Sequence, residues 1–177
     1  MFFKSLLALS VLCVLAACAK QPPNPPPQAA SSPVETNEPK RIASVDVVKA
    51  TPQPVEVKAG GTAQLIVQLK IQSGYHVNAN PPTYSYLRPT QLDATASDGI
   101  SATSVTYPSP LTRKFAFADK PLAVYEGETE IKATIKADTA ASKGEHSVAA
   151  QLRVQACDDQ VCYPPGQVEL RIPVTVK

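Results

Sequence analysis

Alternating apolar and polar residues, frequent turn residues and the lack of a helical period predict an all-β fold for most of this chain. A period of two over five or more residues is typical of a strand with one buried face. Seven to nine such strands joined by turns favour an immunoglobulin-like antiparallel β-sandwich. A closed barrel is the alternative arrangement of the same strands.

The alternation is clearest in four long segments. They are 65–71, 131–135, 148–154 and 168–176. Shorter strand candidates are 44–49, 55–58, 90–96 and 101–106. Two segments interrupt the pattern: 74–86, rich in tyrosine and proline, and 108–125, which contains Phe115 and Phe117. Aromatic side chains on such loops either bury as a lid or stay exposed for a partner.

The first 17 residues have the features of a signal peptide. Lys4 supplies a positive charge, and residues 6–15 form an apolar stretch that is too short to span a bilayer as a helix. The sequence Leu-Ala-Ala-Cys then ends at Cys18 and resembles the lipobox of bacterial lipoproteins, in which Cys18 would be lipidated. An ordinary signal peptide that happens to contain Cys18 is the alternative.

Residues 18–41 are predicted to be the lipidated cysteine followed by a linker. Proline, serine and charged residues dominate this segment, which is typical of a semi-extended tether. Lipoproteins kept in the inner membrane usually carry Asp two residues after the lipidated cysteine, and this chain has Lys20 there. We therefore expect a domain at 42–177 that is anchored to the outer membrane and faces the periplasm.

The charge balance argues against a nucleic-acid partner. The chain has 17 basic and 15 acidic residues, and loss of Lys4 with the signal peptide leaves 16 against 15. Nearly neutral chains lack the basic surface that nucleic-acid binding requires. No second apolar run approaches the length of a membrane span.

Two cysteines remain available for pairing in the exported protein. Cys13 would leave with the signal peptide and Cys18 would carry lipid, so Cys157 and Cys162 are left. An exported compartment permits disulfides. Four residues separate this pair, and a tight antiparallel turn of that length would place the two Cα atoms about 4.5–5.5 Å apart, within the range a disulfide bridges.

The small stabilisation expected from this disulfide favours a reactive pair over a structural one. Closing a loop of about six residues gains only about 2 kcal/mol in the chain-entropy model, near the low end for disulfides. A domain of this size builds its core without that contribution, although an inert disulfide stays open as the alternative. Asp158 and Asp159 lie beside the thiols, and like charges disfavour the thiolate. We expect the reduced pair to be a slow nucleophile until a partner docks.

From about residue 55 to 176 the chain resembles the N-terminal periplasmic domain of the thiol:disulfide interchange protein DsbD. The matching motifs are GYHVN at 74–78, YSYLRPT at 84–90, FAFADKPLAVYEG at 115–127 and CDDQVCYPP at 157–165. The resemblance implies an immunoglobulin-like sandwich, in agreement with the alternation. It also implies that Cys157 and Cys162 are the catalytic pair, with Cys162 forming the mixed disulfide.

The same resemblance implies a cap loop and protein partners. Phe115 and Phe117 lie in the segment that caps the disulfide in that family and opens on docking, and Asp119 would add negative charge nearby. The family takes electrons from a membrane-embedded domain and gives them to periplasmic thioredoxin-like proteins. This sequence contains neither a membrane-spanning carrier nor a thioredoxin-like domain, and its cysteine spacing is one residue shorter. We therefore expect a separate membrane electron donor, a thioredoxin-like partner and a monomer.

Other functions find less support in the sequence. A non-redox binding or scaffold module with an inert disulfide is the main alternative, and a reducible, partner-exchangeable disulfide separates the two. A metal carrier is disfavoured because His76 and His146 lack ligand spacing and the exported chain has no methionine. No nucleophile elbow or catalytic triad indicates a hydrolase. We expect no metal and no cofactor, and a packing role for both histidines and for Tyr75, Tyr84 and Tyr86.

Overall fold

Strands form where alternating apolar side chains are covered by a second sheet. The computed structural model describes residues 42–177. The predicted signal peptide at 1–17, the predicted lipidation site Cys18 and the predicted linker at 18–41 lie outside the described residues. In the part of the chain that is described, no helix combines the length and apolar character needed to cross a bilayer.

Twelve strands and one short 3₁₀ helix make up residues 42–177. The 3₁₀ helix is Ser44–Val47. The strands are β1 (Val48–Pro52), β2 (Val55–Val57), β3 (Thr62–Ile71), β4 (His76–Asn78), β5 (Gln91–Ala94), β6 (Ile100–Thr106), β7 (Leu111–Arg113), β8 (Leu122–Tyr125), β9 (Glu128–Ala137), β10 (Gly144–Val154), β11 (Ala156–Cys157) and β12 (Gly166–Val176).

Two four-stranded sheets form the sandwich. The first has the strand order β1-β3-β9-β6 and the second β2-β12-β10-β5. The predicted all-β sandwich is confirmed. One pair departs from a purely antiparallel arrangement, because β2 runs parallel to β12. These two strands lie near opposite ends of the domain sequence, and parallel neighbours require such a long connection.

The core lies between the inner faces of these two sheets. On β3, Leu65, Val67 and Leu69 are at most 1 % exposed, while Gln68 and Lys70 between and beside them are exposed. The strands β9, β10 and β12 alternate in the same way. Burying one such side chain contributes about 1.5–3 kcal/mol, so the long strands found by alternation are those that hold the domain together.

Three strands of a third sheet, β4, β7 and β8, lie in the segments 74–86 and 108–125 that interrupt the alternation. Its strand order is β11-β4-β8-β7, and its strands are two to four residues long. Strands this short do not display a period, so the prediction of seven to nine strands was too low. This sheet carries Cys157 on β11, and β4 and β8 join it to the main core through Val77 and Tyr125.

The predicted strand at 44–49 is wrong in its first half, which forms the 3₁₀ helix. The Asp46 carboxylate accepts a backbone N–H just before the helix (3.1 Å), a local bond that competes with strand pairing. The buried Ser44 hydroxyl donates to the carbonyl of Pro164 (2.6 Å) and accepts the N–H of Ala156 (2.9 Å). The helix is thus fixed against the backbone on both sides of the cysteine pair.

Candidate functional site

Cys157 and Cys162 are joined by a disulfide. They face each other in an isolated antiparallel bridge, with Cα atoms 3.9 Å apart. Backbone hydrogen bonds flank the pair on both sides, so the cysteines occupy the narrow, non-hydrogen-bonded position of the ladder. The narrow position accounts for a separation at the lower end of the 4.5–5.5 Å expected from sequence, and the observed 3.9 Å is shorter still.

The two sulfurs differ in accessibility. Cys157 is fully buried, whereas Cys162 is half-buried. Cys157 lies outside the predicted strand at 148–154, because the chain leaves β10 after Val154 and pairs β11 with β4. Cys162 is therefore the more accessible cysteine of the two.

Asp158 holds the turn between the cysteines. Its carboxylate accepts the N–H groups of Gln160 and Val161 (2.8 Å each) and the hydroxyl of Tyr163. The Tyr163 hydrogen bond is the main cause that lowers the pKa of Asp158, and the same bond raises the pKa of Tyr163 to about 12. Asp159 is exposed and forms no hydrogen bond or ion pair with residues 42–177, so the predicted effect of Asp159 on the thiols rests on its charge alone.

His76 lies directly across the ladder from Cys157. Its side chain is 2 % exposed, and its ring stacks on Phe115 with centroids 4.1 Å apart. Burial lowers the pKa of His76, against the opposing charges of Glu126, Asp159 and Asp158. The spacing of this histidine in the sequence indicates no site and predicts a packing role. Only the pairing of β4 with β11 places it opposite Cys157.

Three aromatic rings run in a stack from His76 to the surface. Phe115 is 7 % exposed and lies between His76 and Phe117, with 5.4 Å between the two phenylalanine centroids. Phe117 is 41 % exposed. The stack therefore begins opposite Cys157 and ends in solvent.

Phe115 also belongs to a small apolar cluster that is separate from the main core. The cluster consists of Leu87, Phe115, Leu122 and Val124. Cys162 packs against this small cluster, so the Phe115 side of the disulfide is shielded by apolar side chains.

The segment 114–121, here named the cap loop, is fixed by a lysine. The Lys114 ammonium donates to the backbone carbonyls of Ala118 (2.6 Å) and Asp119 (2.7 Å). The Tyr84 hydroxyl accepts the N–H of Lys120 (3.1 Å). The Asp119 carboxylate is exposed and makes no hydrogen bond or ion pair among the described residues. The structure thus brings Phe115 to the disulfide, while Asp119 contributes backbone to the loop.

Large apolar side chains are exposed around this region. Tyr86 is 72 % exposed, Val161 50 %, Leu111 45 % and Phe117 41 %. Val161 precedes Cys162, Leu111 lies on β7, and Tyr86 stacks on Tyr84, which packs against the small cluster. The packing role expected for Tyr86 is therefore limited to one face of its ring. These four residues lie on the third sheet or on the loops next to its strands.

The histidines do not come together, and no metal centre forms within residues 42–177. His146 lies on β10, where a ring nitrogen is 2.7 Å from the carbonyl of Ser142. In this part of the chain no three His, Cys, Asp or Glu side chains are arranged to hold a metal ion.

Comparison with known proteins points to one family. The family model described as "Thiol:disulfide interchange protein DsbD, N-terminal" matches residues 44–172. The N-terminal periplasmic domain of ScsB from Proteus mirabilis is similar in structure, with a TM-score of 0.50 and 17% identity over 71% of this chain and 44% of that one. This chain therefore spans less than half of the ScsB structure, and at this identity the likeness shows the fold alone.

Other similarities are weaker. The PapD-like domain 7 of human CEP192 has a TM-score of 0.39 and 11% identity over 85% of this chain and 98% of that chain. Domains 4 and 5 of the S-layer protein SbsC have a TM-score of 0.31 and 15% identity, covering 73% of this chain and 50% of that chain. No curated protein sequence matches the chain.

Proposed function

Because the chain belongs to the DsbD N-terminal domain family of thiol:disulfide interchange proteins, we propose that it transfers reducing equivalents between protein partners through Cys157 and Cys162. The observation that carries this proposal is the asymmetry of the pair. Cys157 is fully buried, whereas Cys162 is half-buried and packs against the small cluster that contains Phe115. Inert disulfides need no such difference between their two sulfurs.

The asymmetry assigns a role to each cysteine. A thiolate of a reduced partner attacks the sulfur of Cys162, forms a mixed disulfide with it and releases Cys157 as a thiolate. The second thiolate of the partner then attacks the partner's first sulfur, which is bonded to Cys162 in the mixed disulfide, and releases Cys162 as a thiolate. The partner leaves as a disulfide and the domain as a dithiol, and the reverse sequence passes the electrons onward.

Phe115 and Phe117 act as the cap in this proposal. The Phe115 ring must move before a partner thiol reaches Cys162 freely, and exposing such a side chain costs about 1.5–3 kcal/mol. Docking of a partner on the exposed Phe117 and Val161 side chains would offset that cost. A small thiol makes no such contacts, so the cap protects the pair from unspecific exchange.

The location and partners form the finer part of the proposal. Lipidation at Cys18 would hold the domain on a membrane, and Lys20 favours the outer membrane. The domain would face the periplasm as a monomer, receive electrons from a separate membrane donor and exchange them with a thioredoxin-like protein. The lipobox-like sequence and the family assignment support these proposals.

A binding module with a structural disulfide is the second candidate. The exposed Tyr86, Val161, Leu111 and Phe117 side chains favour it, since they provide an apolar surface whether or not the disulfide reacts. The two candidates differ in whether a partner thiol becomes covalently attached to the domain.

Single-cysteine variants test the proposed exchange. Cys157→Ser leaves the half-buried Cys162 free, and we expect it to trap a thioredoxin-like protein as a mixed disulfide that is visible on a non-reducing gel. Cys162→Ser is the matched control, because it leaves only the buried Cys157 and should trap little or nothing. Equal trapping by both variants, or trapping by neither, would contradict the assignment.

A further inference from the structure

One buried polar group near the disulfide has no partner within the described residues. The Nε2 atom of His76 forms no hydrogen bond in residues 42–177. Nearly all buried polar atoms in folded proteins are hydrogen-bonded, so an unpaired one beside a disulfide is a candidate for a role in the redox chemistry. Reduction of the disulfide is the event that changes the surroundings of His76 most.

We propose that His76 carries the proton of Cys157, giving it to the sulfur when the disulfide opens and taking it back when the disulfide forms. The inference rests on the function proposed for the cysteine pair and adds a catalytic group to it. It concerns the buried sulfur only, since Cys162 exchanges its proton with solvent or with the partner.

Position is the first support. His76 and Cys157 are direct partners in the antiparallel pairing of β4 with β11. Side chains of directly opposite residues project from the same face of a sheet with Cβ atoms about 4.5–5.5 Å apart. The imidazole stacks on Phe115, which belongs to the small cluster against which Cys162 packs.

The chemistry of the buried sulfur is the second support. Cys157 is 0 % exposed, and an apolar environment disfavours a thiolate. A poorly stabilised thiolate is also a slow leaving group. Bulk water does not reach this sulfur in the closed domain, so a proton must come through a neighbouring side chain.

A cleft connects His76 with solvent. It has a volume of about 700 Å³ and is lined by His76, Tyr75, Leu111, Glu126 and Asp159 among others. His76 thus lines the cleft and is also the ladder partner of Cys157. Carboxylates at the cleft attract protons and cations toward the ring.

Three carboxylates face His76, and all of them favour its protonated form. Glu126 faces it from the end of β8 and is itself ion-paired with Arg113 (2.9 Å), while Asp158 and Asp159 face it from the cysteine turn. These carboxylates favour a protonated ring, and burial lowers the pKa of His76 below the ordinary 6.5. The ring is therefore neutral near pH 7 while the disulfide is intact. A negative charge that appears on Cys157 then favours its protonation.

The step balances without any additional reactant. The partner thiolate forms a bond to the Cys162 sulfur, and the electron pair of the broken S–S bond remains on Cys157. His76 takes a proton from solvent through the cleft and transfers it to that sulfur, which becomes a thiol. In the oxidising direction the thiol proton returns to His76 and leaves through the cleft.

The pH dependence of reduction tests the proposal. The full-length chain in detergent is reduced by dithiothreitol between pH 5 and 9, and rates are corrected for the ionisation of the reagent. We expect His76→Gln and His76→Phe, which retains a ring against Phe115, to slow reduction at pH 7 by at least about tenfold. The ratio of wild-type to variant rate should change with pH. His146→Gln is the matched control and should leave the rate unchanged.

A second measurement separates proton transfer from a purely structural effect. In a Cys162→Ala, Cys13→Ala and Cys18→Ala background only the buried Cys157 thiol remains, and its ionisation is followed by ultraviolet absorbance. Adding His76→Gln should shift that ionisation to higher pH, and the His76 ring signals in NMR should titrate together with the thiol. Unchanged thiol ionisation, or a wild-type to variant rate ratio that is constant with pH, would overturn the proposal.

The two proposals fail in different experiments. If no thioredoxin-like protein exchanges with the wild-type domain, the proposed function fails, while dithiothreitol still reports on His76. If exchange with the protein partner is fast and the His76 variants match the wild type at every pH, only the proton-carrier role is lost.

Discussion

At the scale of single residues, the two aspartates beside the cysteines have different tasks. The sequence analysis predicted that both carboxylates would act on the thiols through their charge, because sequence gives proximity and no hydrogen-bond geometry. The structure shows that Asp158 is bound by two backbone N–H groups and by Tyr163, whereas Asp159 is exposed. A role as a modulator of the thiols stays a prediction for both.

The hydrogen bonds of Asp158 predict a pH-dependent contribution to stability. Its pKa in the folded protein lies below the ordinary 3.8, so the stabilisation is fully present above that value and is lost as the pH falls through the folded pKa. Asp158→Asn should lower the Tm of the oxidised domain by a few degrees at pH 6, with the difference disappearing in acid. Thermal denaturation followed by circular dichroism from pH 2 to 7 measures this effect.

Asp159→Asn is the matched control, because it removes the same charge from an adjacent residue without a hydrogen bond in the described structure. Its Tm should follow that of the wild type at every pH. A difference for Asp158→Asn that persists in strong acid, or an equal effect of both variants, would show that the carboxylate hydrogen bonds do not stabilise the turn.

At the scale of secondary structure elements, the sequence predicts the long strands well and the site strands poorly. Strands β3, β9, β10 and β12 each bury one face against the opposite sheet, so their period of two is imposed by the core. The third sheet is built from strands of two to four residues, whose pairing depends on distant parts of the chain. No local pattern encodes such pairing, which is why His76 was not recognised as a neighbour of Cys157.

The cap loop was located from motif resemblance rather than from periodicity. The segment around Phe115 is poor in strand signals, and its aromatic residues left open whether they were buried or exposed. The structure places Phe115 inside and Phe117 largely outside. The capping function of both residues stays a prediction.

The proposed cap role predicts that truncating the Phe115 side chain speeds the reaction of the disulfide with small thiols. Phe115→Ala removes the ring that lies against His76 and shares a cluster with Cys162, and we expect dithiothreitol to reduce the disulfide several-fold faster. Phe117→Ala should change this rate little, because its ring is the exposed end of the stack. Stopped-flow measurement of reduction at constant pH compares the two variants.

A control is needed because loss of a buried phenylalanine also destabilises the domain, by about 3 kcal/mol. Leu152→Ala in the sandwich core costs a comparable amount and lies outside the small cluster. This variant should be reduced at the wild-type rate. If Leu152→Ala accelerates reduction as much as Phe115→Ala does, general loosening explains the effect and the cap does not.

At the scale of the whole molecule, one part of the domain forms the core and another part carries the candidate site. The two large sheets provide the main core, and the third sheet with its loops carries the disulfide, the ring stack and the exposed apolar side chains. The fold follows from amphipathic alternation, a property of the sequence itself. The site follows from which short strands meet at one end, which only the folded chain displays.

The central claim is that the disulfide is labile and exchanges with proteins. Its most direct test is the reduction potential of the Cys157–Cys162 pair, measured by equilibration with glutathione and thioredoxin buffers. Our account predicts a value above about −250 mV, in the range of catalytic disulfides. A value below about −300 mV, together with no exchange against a thioredoxin-like protein, would identify an inert structural bond and contradict the account.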